Sequence, residues 1–256
     1  MKLGKLAPRA DVRTLRLVHY LDSDIPAPPP AVDWSGAVTW WGMMANDVIG
    51  DCTIAAAGHL LEGWTANNGT EVIPADADIV AAYSAVSGYV PDDPVTDRGA
   101  VELDVLNYWR QEGIAGHRIY AYASLDVGNI EHIKQAVYLF GGCYIGLALP
   151  LSAQGQDVWD TTGLGAWLGR VFLSRKHLDP TPGSWGGHAV SIVGYDADGL
   201  TCVTWGARKR MTWSFWRRYC DEAYAVLSTD WIPEGREVRG FYFDELQQDL
   251  ECLTTK

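Results

Sequence analysis

A single cysteine near residue 50 has the surroundings that a nucleophilic thiol requires. Cys52 follows Gly50 and Asp51 in the stretch NDVIGDCTIAAAGHLLEGW, where apolar residues at three-to-four residue spacing predict a helix capped by Asp51. At the first turn of a helix, a thiolate lies against unpaired backbone N–H groups and the positive end of the dipole. The Cys52 N–H and the side-chain amide of Asn46 could together hold an oxyanion. Alternatively, Cys52 is a small buried apolar residue.

A thiol nucleophile also needs a base, and His188 is the histidine with the most suggestive context. It opens an apolar strand in GSWGGHAVSIVGYD, directly after Gly186 and Gly187. Because these glycines let another chain segment approach closely, Gly187 is a candidate for substrate binding. His59 lies on the same helix face as Cys52 but two turns away, which makes it a weaker alternative base.

The elements that must position these residues divide the chain into two halves. The proline-rich stretch DIPAPPPAV predicts an extended N-terminal arm over residues 1–30. After the helix at Cys52, GAVELDVLNYWRQEG and NIEHIKQAVYLF predict two more helices, and CYIGLAL, HAVSIVGYD, GLTCVTWG and EAYAVLS predict strands. This order favours an α+β fold: a helical lobe at about 45–125, a β lobe at about 126–232, a cleft between them and a tail at 233–256. A glycine-rich connection is expected between residues 160 and 188.

Composition excludes several function classes. The 256 residues carry a net charge of −12, so no basic patch is expected for nucleic acid. The uncharged run at 136–153 reaches the length of a membrane span, but two glycines and a proline divide it into a helix end, a turn and a strand. Five cysteines without a CxxC pair argue against a zinc site and a disulfide framework, and no cofactor is expected. With no signal-like N-terminus, a cytoplasmic protein is expected.

Five segments, in order, resemble the papain-like (C1-type) cysteine peptidases. AVDWSGAVT followed by NDVIGDCT is similar to the start of the mature peptidases, and GGHAVSIVGYD to their catalytic-histidine strand. DRGAVELDVLNYWRQEGI, IEHIKQAVYLFGGCYIGLAL and VTWG resemble three further phrases of the family. The resemblance covers residues 31–206 and implies one papain-like domain over 31–256.

The resemblance implies a fold, an activity and a site. The fold would have a helical left lobe and an antiparallel, barrel-like β right lobe. Cys52 would be the nucleophile, His188 its acid–base partner and Asn46 the oxyanion donor. Gly99 would lie beside the glycines that bind the substrate backbone, and Trp205 would shield the histidine. The implied reaction is hydrolysis of peptide-type amides through an acyl-enzyme, with a protein or peptide as substrate.

Departures from the family pattern leave a second function open. The asparagine that would orient the histidine falls on Val203, whose side chain cannot hydrogen-bond. Shifting the alignment by one residue offers Thr204, but it gives up the Trp205 match and places the side chain on the other strand face. Asp51 adds a negative charge that opposes thiolate formation. The alternative is therefore a catalytically impaired scaffold with a binding or assembly role, in which aromatic residues could contact a partner. A cleft filled by residues 1–30 would indicate a zymogen or a plugged scaffold.

Overall fold

The computed structural model describes residues 1–161, 179–232 and 238–254. Most of the glycine-rich connection expected between residues 160 and 188, and parts of the expected tail, lie outside these ranges. The uncharged run at 136–153 forms the end of a helix, a turn and a strand, as predicted. Among the described residues, no helix combines the length and apolar character needed to cross a bilayer.

Four of the described helices precede residue 141, in agreement with the predicted helical first half. The helices are α1 (Cys52–Asn67), α2 (Asp76–Ser87), α3 (Glu102–Gln111), α4 (Ile130–Phe140), α5 (Trp213–Tyr219) and α6 (Phe243–Thr254). Predictions for α1, α3 and α4 are confirmed to within a few residues at each end. Asn129 caps α4 by accepting a hydrogen bond from the His132 N–H, and Gly141 ends it in the left-handed conformation. Helices α2, α5 and α6 were not predicted.

One large sheet forms most of the second half. Its strands are β1 (Val32–Asp33), β2 (Ala121–Ser124), β3 (Cys143–Leu149), β4 (Val158–Trp159), β5 (Gly186–Tyr195), β6 (Gly199–Thr204), β7 (Ala207–Thr212) and β8 (Cys220–Leu227). The strand order is β2-β8-β3-β5-β6-β7-β4, with β1 on β5. Only the β4–β7 pair is parallel among the described strands. The expected α+β class is confirmed, but the sheet is mixed and open, not a closed antiparallel barrel, because its end strands β2 and β4 do not pair.

Two apolar cores flank the point where helices meet the sheet. One surrounds α1 and includes the adjoining faces of α2 and α3, and the other lies within the sheet and against α4, α5 and α6. Helix α1 is buried almost along its whole length and packs against β5. Since Cys52 begins α1 and His188 lies near the start of β5, this packing brings the two predicted catalytic residues to the same boundary.

Trp64 ties the helical core to the sheet side of the molecule. It is fully buried, stacks on Trp109 at a centroid separation of 5.6 Å, and donates an indole hydrogen bond of 2.9 Å to the Phe140 carbonyl. Replacing Trp64 with alanine is expected to lower the free energy of unfolding by about 3–5 kcal/mol, because it leaves a cavity and an unpaired carbonyl. Denaturant unfolding followed by circular dichroism measures this. Trp40→Ala, at a position 62% exposed, is the matched control and should change stability little.

Candidate active site

The Cys52 thiol lies at the N-terminus of α1, against the start of β5. The side chain is 1% exposed. The Ala189 N–H donates to its sulfur at 3.5 Å, and the backbone N–H of Gly4 also donates a hydrogen bond to it. Because the first amides of a helix have no intrahelical acceptor, the Cys52 N–H remains available as a donor beside the sulfur. The thiol is therefore placed as the sequence predicted, but it is enclosed.

His188 is held on two sides. Its Nε2 lies 2.6 Å from Thr204 Oγ1, and the imidazole stacks on the Trp205 indole at 4.5 Å with an interplanar angle of 17°. Trp159 packs edge-on at 6.5 Å. Nδ1 is buried and has no hydrogen-bond partner among the described residues. The ring is therefore oriented through one nitrogen, its other nitrogen is unpartnered, and the next residue, Ala189, contacts the Cys52 sulfur.

Thr204 supplies the orienting contact that was expected to be missing at Val203. Strands β5 and β6 pair Ser191 with Val203 and Ile192 with Cys202. Side chains alternate along a strand, so Thr204 shares a face with Cys202, Ile192 and hence His188. Val203 points the other way, into a small apolar cluster with Trp41 and Val193. As expected, the side chains of Thr204 and Val203 lie on opposite faces of β6. It is the Val203 side chain, however, that points away from the histidine. Trp205 keeps its stacking contact with the imidazole.

The Asn46 side chain is engaged with its own loop. Its amide nitrogen donates to the Ile49 carbonyl at 3.3 Å and to Asp51 Oδ1 at 3.0 Å, and the residue is 2% exposed. Asp51 occupies the N-cap position of α1, but its side chain makes no capping hydrogen bond. The expected side-chain cap is therefore absent, and the Asn46 amide holds this carboxyl in place.

Burial keeps the reacting groups neutral. Desolvation raises the pKa of the Cys52 thiol to about 12 and lowers that of the His188 imidazole to about 3, where His59 adds a small repulsion. Desolvation also raises the pKa of Asp51 to about 8. The Asp51 charge is one of the causes that raise the pKa of the Cys52 thiol, as expected, although burial leaves this carboxyl mostly protonated at neutral pH.

The first six residues, here called the N-terminal segment, occupy the cleft between the two lobes. Backbone hydrogen bonds attach the segment to both walls: Lys2 N–H to Asn46 O (2.9 Å), Lys5 N–H to Gly187 O (3.2 Å), Leu6 N–H to Ala100 O (2.9 Å) and Ala100 N–H to Gly4 O (2.8 Å). The Trp205 indole donates to the Lys2 carbonyl at 3.1 Å. The segment passes directly over the thiol and encloses it.

Glycines on both walls make this close approach possible. A Cβ on Gly187 would lie 2.2 Å from the Lys5 carbonyl oxygen, and one on Gly99 would lie 2.0 Å from the Gly4 oxygen. A Cβ on Gly4 would in turn lie 1.6 Å from the Gly50 oxygen. Gly99, Gly187 and Trp205, the candidates for substrate binding, thus all contact the N-terminal segment.

The remaining candidate residues lie in surroundings typical of structural residues. His59 is buried, with Nε2 2.8 Å from the Gly42 carbonyl and burial lowering its pKa to about 4. Cys52, Cys143, Cys202 and Cys220 form no disulfide among the described residues. Sequence reasoning set Thr204 aside as the histidine partner and missed Lys5 as a buried cleft residue. Strand pairing would have identified the first, while a lysine near an N-terminus gives no sign of burial.

Comparison with solved structures identifies the architecture. The chain matches xylellain, a cysteine protease from Xylella fastidiosa, with a TM-score of 0.65 and 18% identity over 88% of this chain and 96% of that one. It matches procathepsin B of Trypanosoma congolense with a TM-score of 0.59 and 12% identity, covering 89% and 86% of the two chains. Procathepsin L 3 from Tenebrio molitor larval midgut matches with a TM-score of 0.55 and 16% identity, covering 86% and 75%.

The chain has the papain-like fold. No protein-family model matches the sequence, and no curated protein matches it. The likeness is therefore one of fold, and papain-like architecture is what it establishes for this chain. Residue roles rest on the geometry of the cleft.

The raised pKa of Asp51 predicts a pH-dependent contribution to stability. A carboxyl whose folded pKa rises from 3.8 to about 8 favours the folded state fully below about pH 4, and this contribution is lost as pH rises to about 8. Asp51→Asn, which keeps the oxygen that accepts from Asn46, should therefore gain stability relative to the unmodified chain across this window, by about 1 kcal/mol or more at pH 8.

Denaturant unfolding at a series of pH values measures this difference. Asp47→Asn, at an exposed neighbouring position, is the control and should show no such divergence. Parallel pH profiles for the Asp51→Asn chain and the unmodified chain would contradict the buried, protonated carboxyl.

Proposed function

We propose that this protein is a papain-like cysteine peptidase or amidase whose N-terminal segment holds it in a latent state. The observation that carries the proposal is the arrangement of four side chains across the lobe boundary. Cys52 begins a helix, His188 opens the facing strand, and Thr204 and Trp205 fix the imidazole. The fixed, half-satisfied imidazole one residue before the amide that contacts the thiol supports an acid–base role.

The geometry supports a particular division of roles. In the tautomer with its proton on Nε2, His188 donates to Thr204 Oγ1, and its Nδ1 lone pair stays free to accept the Cys52 thiol proton once the open cleft brings the two groups together. Nδ1 takes the thiol proton, the sulfur attacks the substrate carbonyl carbon, and the oxyanion receives the Cys52 N–H. His188 then gives the proton to the departing amine. Water, activated by His188, hydrolyses the thioester and regenerates the thiol.

Asn46 is the second oxyanion donor in this proposal. To serve, its amide must exchange Asp51 Oδ1 for the substrate oxygen. The exchange is a modest rearrangement within one loop. Because burial raises the pKa of Asp51 to about 8, its carboxyl is neutral and can lose the contact without leaving an unpaired buried charge.

The N-terminal segment accounts for latency. It excludes substrate from the walls that would bind it, and it excludes water from the thiol and the imidazole. In this state proton transfer from sulfur to nitrogen is unfavourable, because both charged forms are disfavoured by desolvation. Displacement of the segment would return the pair to solvent, raise the pKa of His188 and lower that of Cys52.

The same occupied cleft supports a second candidate, a scaffold in which the segment is a permanent plug. The tight enclosure of the thiol and the commitment of both Asn46 amide protons favour this alternative. The two candidates differ in one respect: a peptidase becomes reactive when the segment leaves, while a scaffold does not.

Displacing the segment should activate the thiol. In Gly4→Ala the added methyl would collide with the Gly50 carbonyl, so the segment must shift away from its place over the thiol. Alkylation of Cys52 by iodoacetamide, followed by peptide mass spectrometry from about pH 5 to pH 9, should be at least about tenfold faster than in the unmodified chain and nearly independent of pH. His188→Ala added to Gly4→Ala should abolish the gain.

Gly36→Ala is the matched control, because a Cβ there meets nothing within 4 Å. A Cys52 in the Gly4→Ala chain that reacts no faster than a model thiol, with an apparent pKa of about 8.5 or above, would exclude the peptidase and favour the scaffold.

Removing the orienting hydroxyl should slow the chemical step. In the Gly4→Ala chain, Thr204→Val is expected to lower kcat for a fluorogenic peptide amide by up to about 10⁴-fold with little change in KM. Thr204→Ser keeps the hydroxyl and should retain most of the rate. Equal kcat values for the valine and serine variants would show that Thr204 does not position His188.

A further inference from the structure

Lys5 of the N-terminal segment is buried in an acidic recess beside the thiol. Its ammonium lies 3.0 Å from Asp221 and 2.9 Å from Glu222, and the residue is 5% exposed. Glu102 is fully buried, and neither of its carboxylate oxygens has a hydrogen-bond partner among the described residues. We call the recess formed by Glu102, Asp221, Glu222 and Gly146 the acidic pocket.

Three carboxyl groups surround one cation. Burial alone would lower the pKa of Lys5, but the carboxylates of Glu102, Glu222 and Asp221 raise it above its ordinary value. Burial and repulsion from Glu222 raise the pKa of Glu102 well above its ordinary value even with Lys5 present. Without the lysine, Glu102 and Glu222 would remain buried with no positive partner, which is an unfavourable state.

The shape of the pocket matches a long aliphatic stem. A Cβ on Gly146 would lie 2.0 Å from Lys5 Cε, so the absence of a side chain on β3 creates the space that the lysine methylenes fill. The pairing of β3 with β8 shifts register at this glycine, which places Glu222 opposite Gly146. The pocket therefore accepts an unbranched chain that ends in a positive charge.

The pocket lies next to the reacting sulfur. The N–H of Gly4 donates to the Cys52 sulfur, and the following residue, Lys5, donates its own N–H to the carbonyl of Gly187, which precedes His188. A residue of extended chain advances only about 3.3 Å. A side chain in this pocket thus belongs to a residue within about two positions of the bond that Cys52 would attack.

We infer that the acidic pocket is the specificity site of this protein, which selects peptides carrying a lysine or arginine within two residues of the bond that is cleaved. The inference rests on the proposed peptidase function, because a specificity site implies a bond that is cleaved. Its evidence comes from the pocket alone. In the latent state Lys5 fills the site from within the chain. In the open state a basic side chain of the substrate takes its place.

Binding of matched peptides tests the inference without requiring catalysis. The full chain carrying Gly4→Ala and Cys52→Ala would be titrated calorimetrically with acetyl-Leu-Gly-Lys-Leu-Ala-amide and with the same peptide containing norleucine for lysine. Norleucine keeps the stem and removes the charge. The lysine peptide should bind at least about tenfold more tightly, and Glu222→Gln should reduce the preference to about twofold or less. Glu112→Gln, on the exposed end of α3, should leave it unchanged.

Equal or tighter binding of the norleucine peptide, or no binding of either peptide, would overturn the inference. A lysine preference combined with slow alkylation of Cys52 in the Gly4→Ala chain would leave the pocket intact and refute hydrolysis. Rapid alkylation without a lysine preference would do the reverse.

A second variant keeps the inference testable if the double variant fails to fold. Lys5→Met in the otherwise unmodified chain keeps the stem but leaves the carboxylates unpaired, so it should release the segment and accelerate Cys52 alkylation at least about tenfold. Leu6→Ala, at a half-exposed neighbouring position, should have little effect. Equal alkylation rates for these two variants would contradict the role of the acidic pocket.

Discussion

Exclusion of water from the Cys52–His188 pair is the constraint on which the rest of the site depends. A thiolate and an imidazolium attract each other, but forming them requires solvent or fixed dipoles around both groups. The N-terminal segment removes the solvent, and the dipoles that the described residues leave at the sulfur are two backbone N–H groups and the end of α1. The fold thus brings together a constellation suited to acyl transfer and keeps it uncharged.

The contacts that impose this state are of two kinds, and they differ in how easily they are replaced. Backbone hydrogen bonds to Asn46, Ala100 and Gly187 could be made by any extended peptide. The burial of Lys5 among carboxylates is particular to this sequence. Removing the lysine costs more than a lost contact because it leaves like charges together in a region of low dielectric. Backbone bonding therefore sets where a peptide lies, and the acidic pocket sets which peptide is accepted.

Much of the architecture could be predicted from the sequence because it follows from local patterns. The periodicity around Cys52 and the glycines before His188 gave the helix and strand that position them, and the order of segments gave the papain-like fold. What could not be predicted depends on pairing between distant strands. The role of Thr204 follows from the register of β5 against β6 and has no counterpart in the spacing of residues.

Two further misjudgements have physical causes. Asp51 was assigned a capping role because of its position, whereas its side chain makes no capping hydrogen bond and is held by Asn46. The proline-rich stretch predicts an extended arm, but nothing in its composition shows that residues 1–6 turn back into the cleft. That arrangement depends on glycines at positions 99 and 187, far along the chain.

The most direct test is a titration of the His188 imidazole in the unmodified chain by ¹⁵N NMR, with the resonance assigned from its loss in His188→Gln. A sealed cleft predicts a neutral ring protonated on Nε2 throughout the range from about pH 4 to pH 8, since burial lowers the His188 pKa to about 3. A ring that titrates near the ordinary histidine value of about 6.5, or that is already imidazolium at neutral pH, would contradict the account.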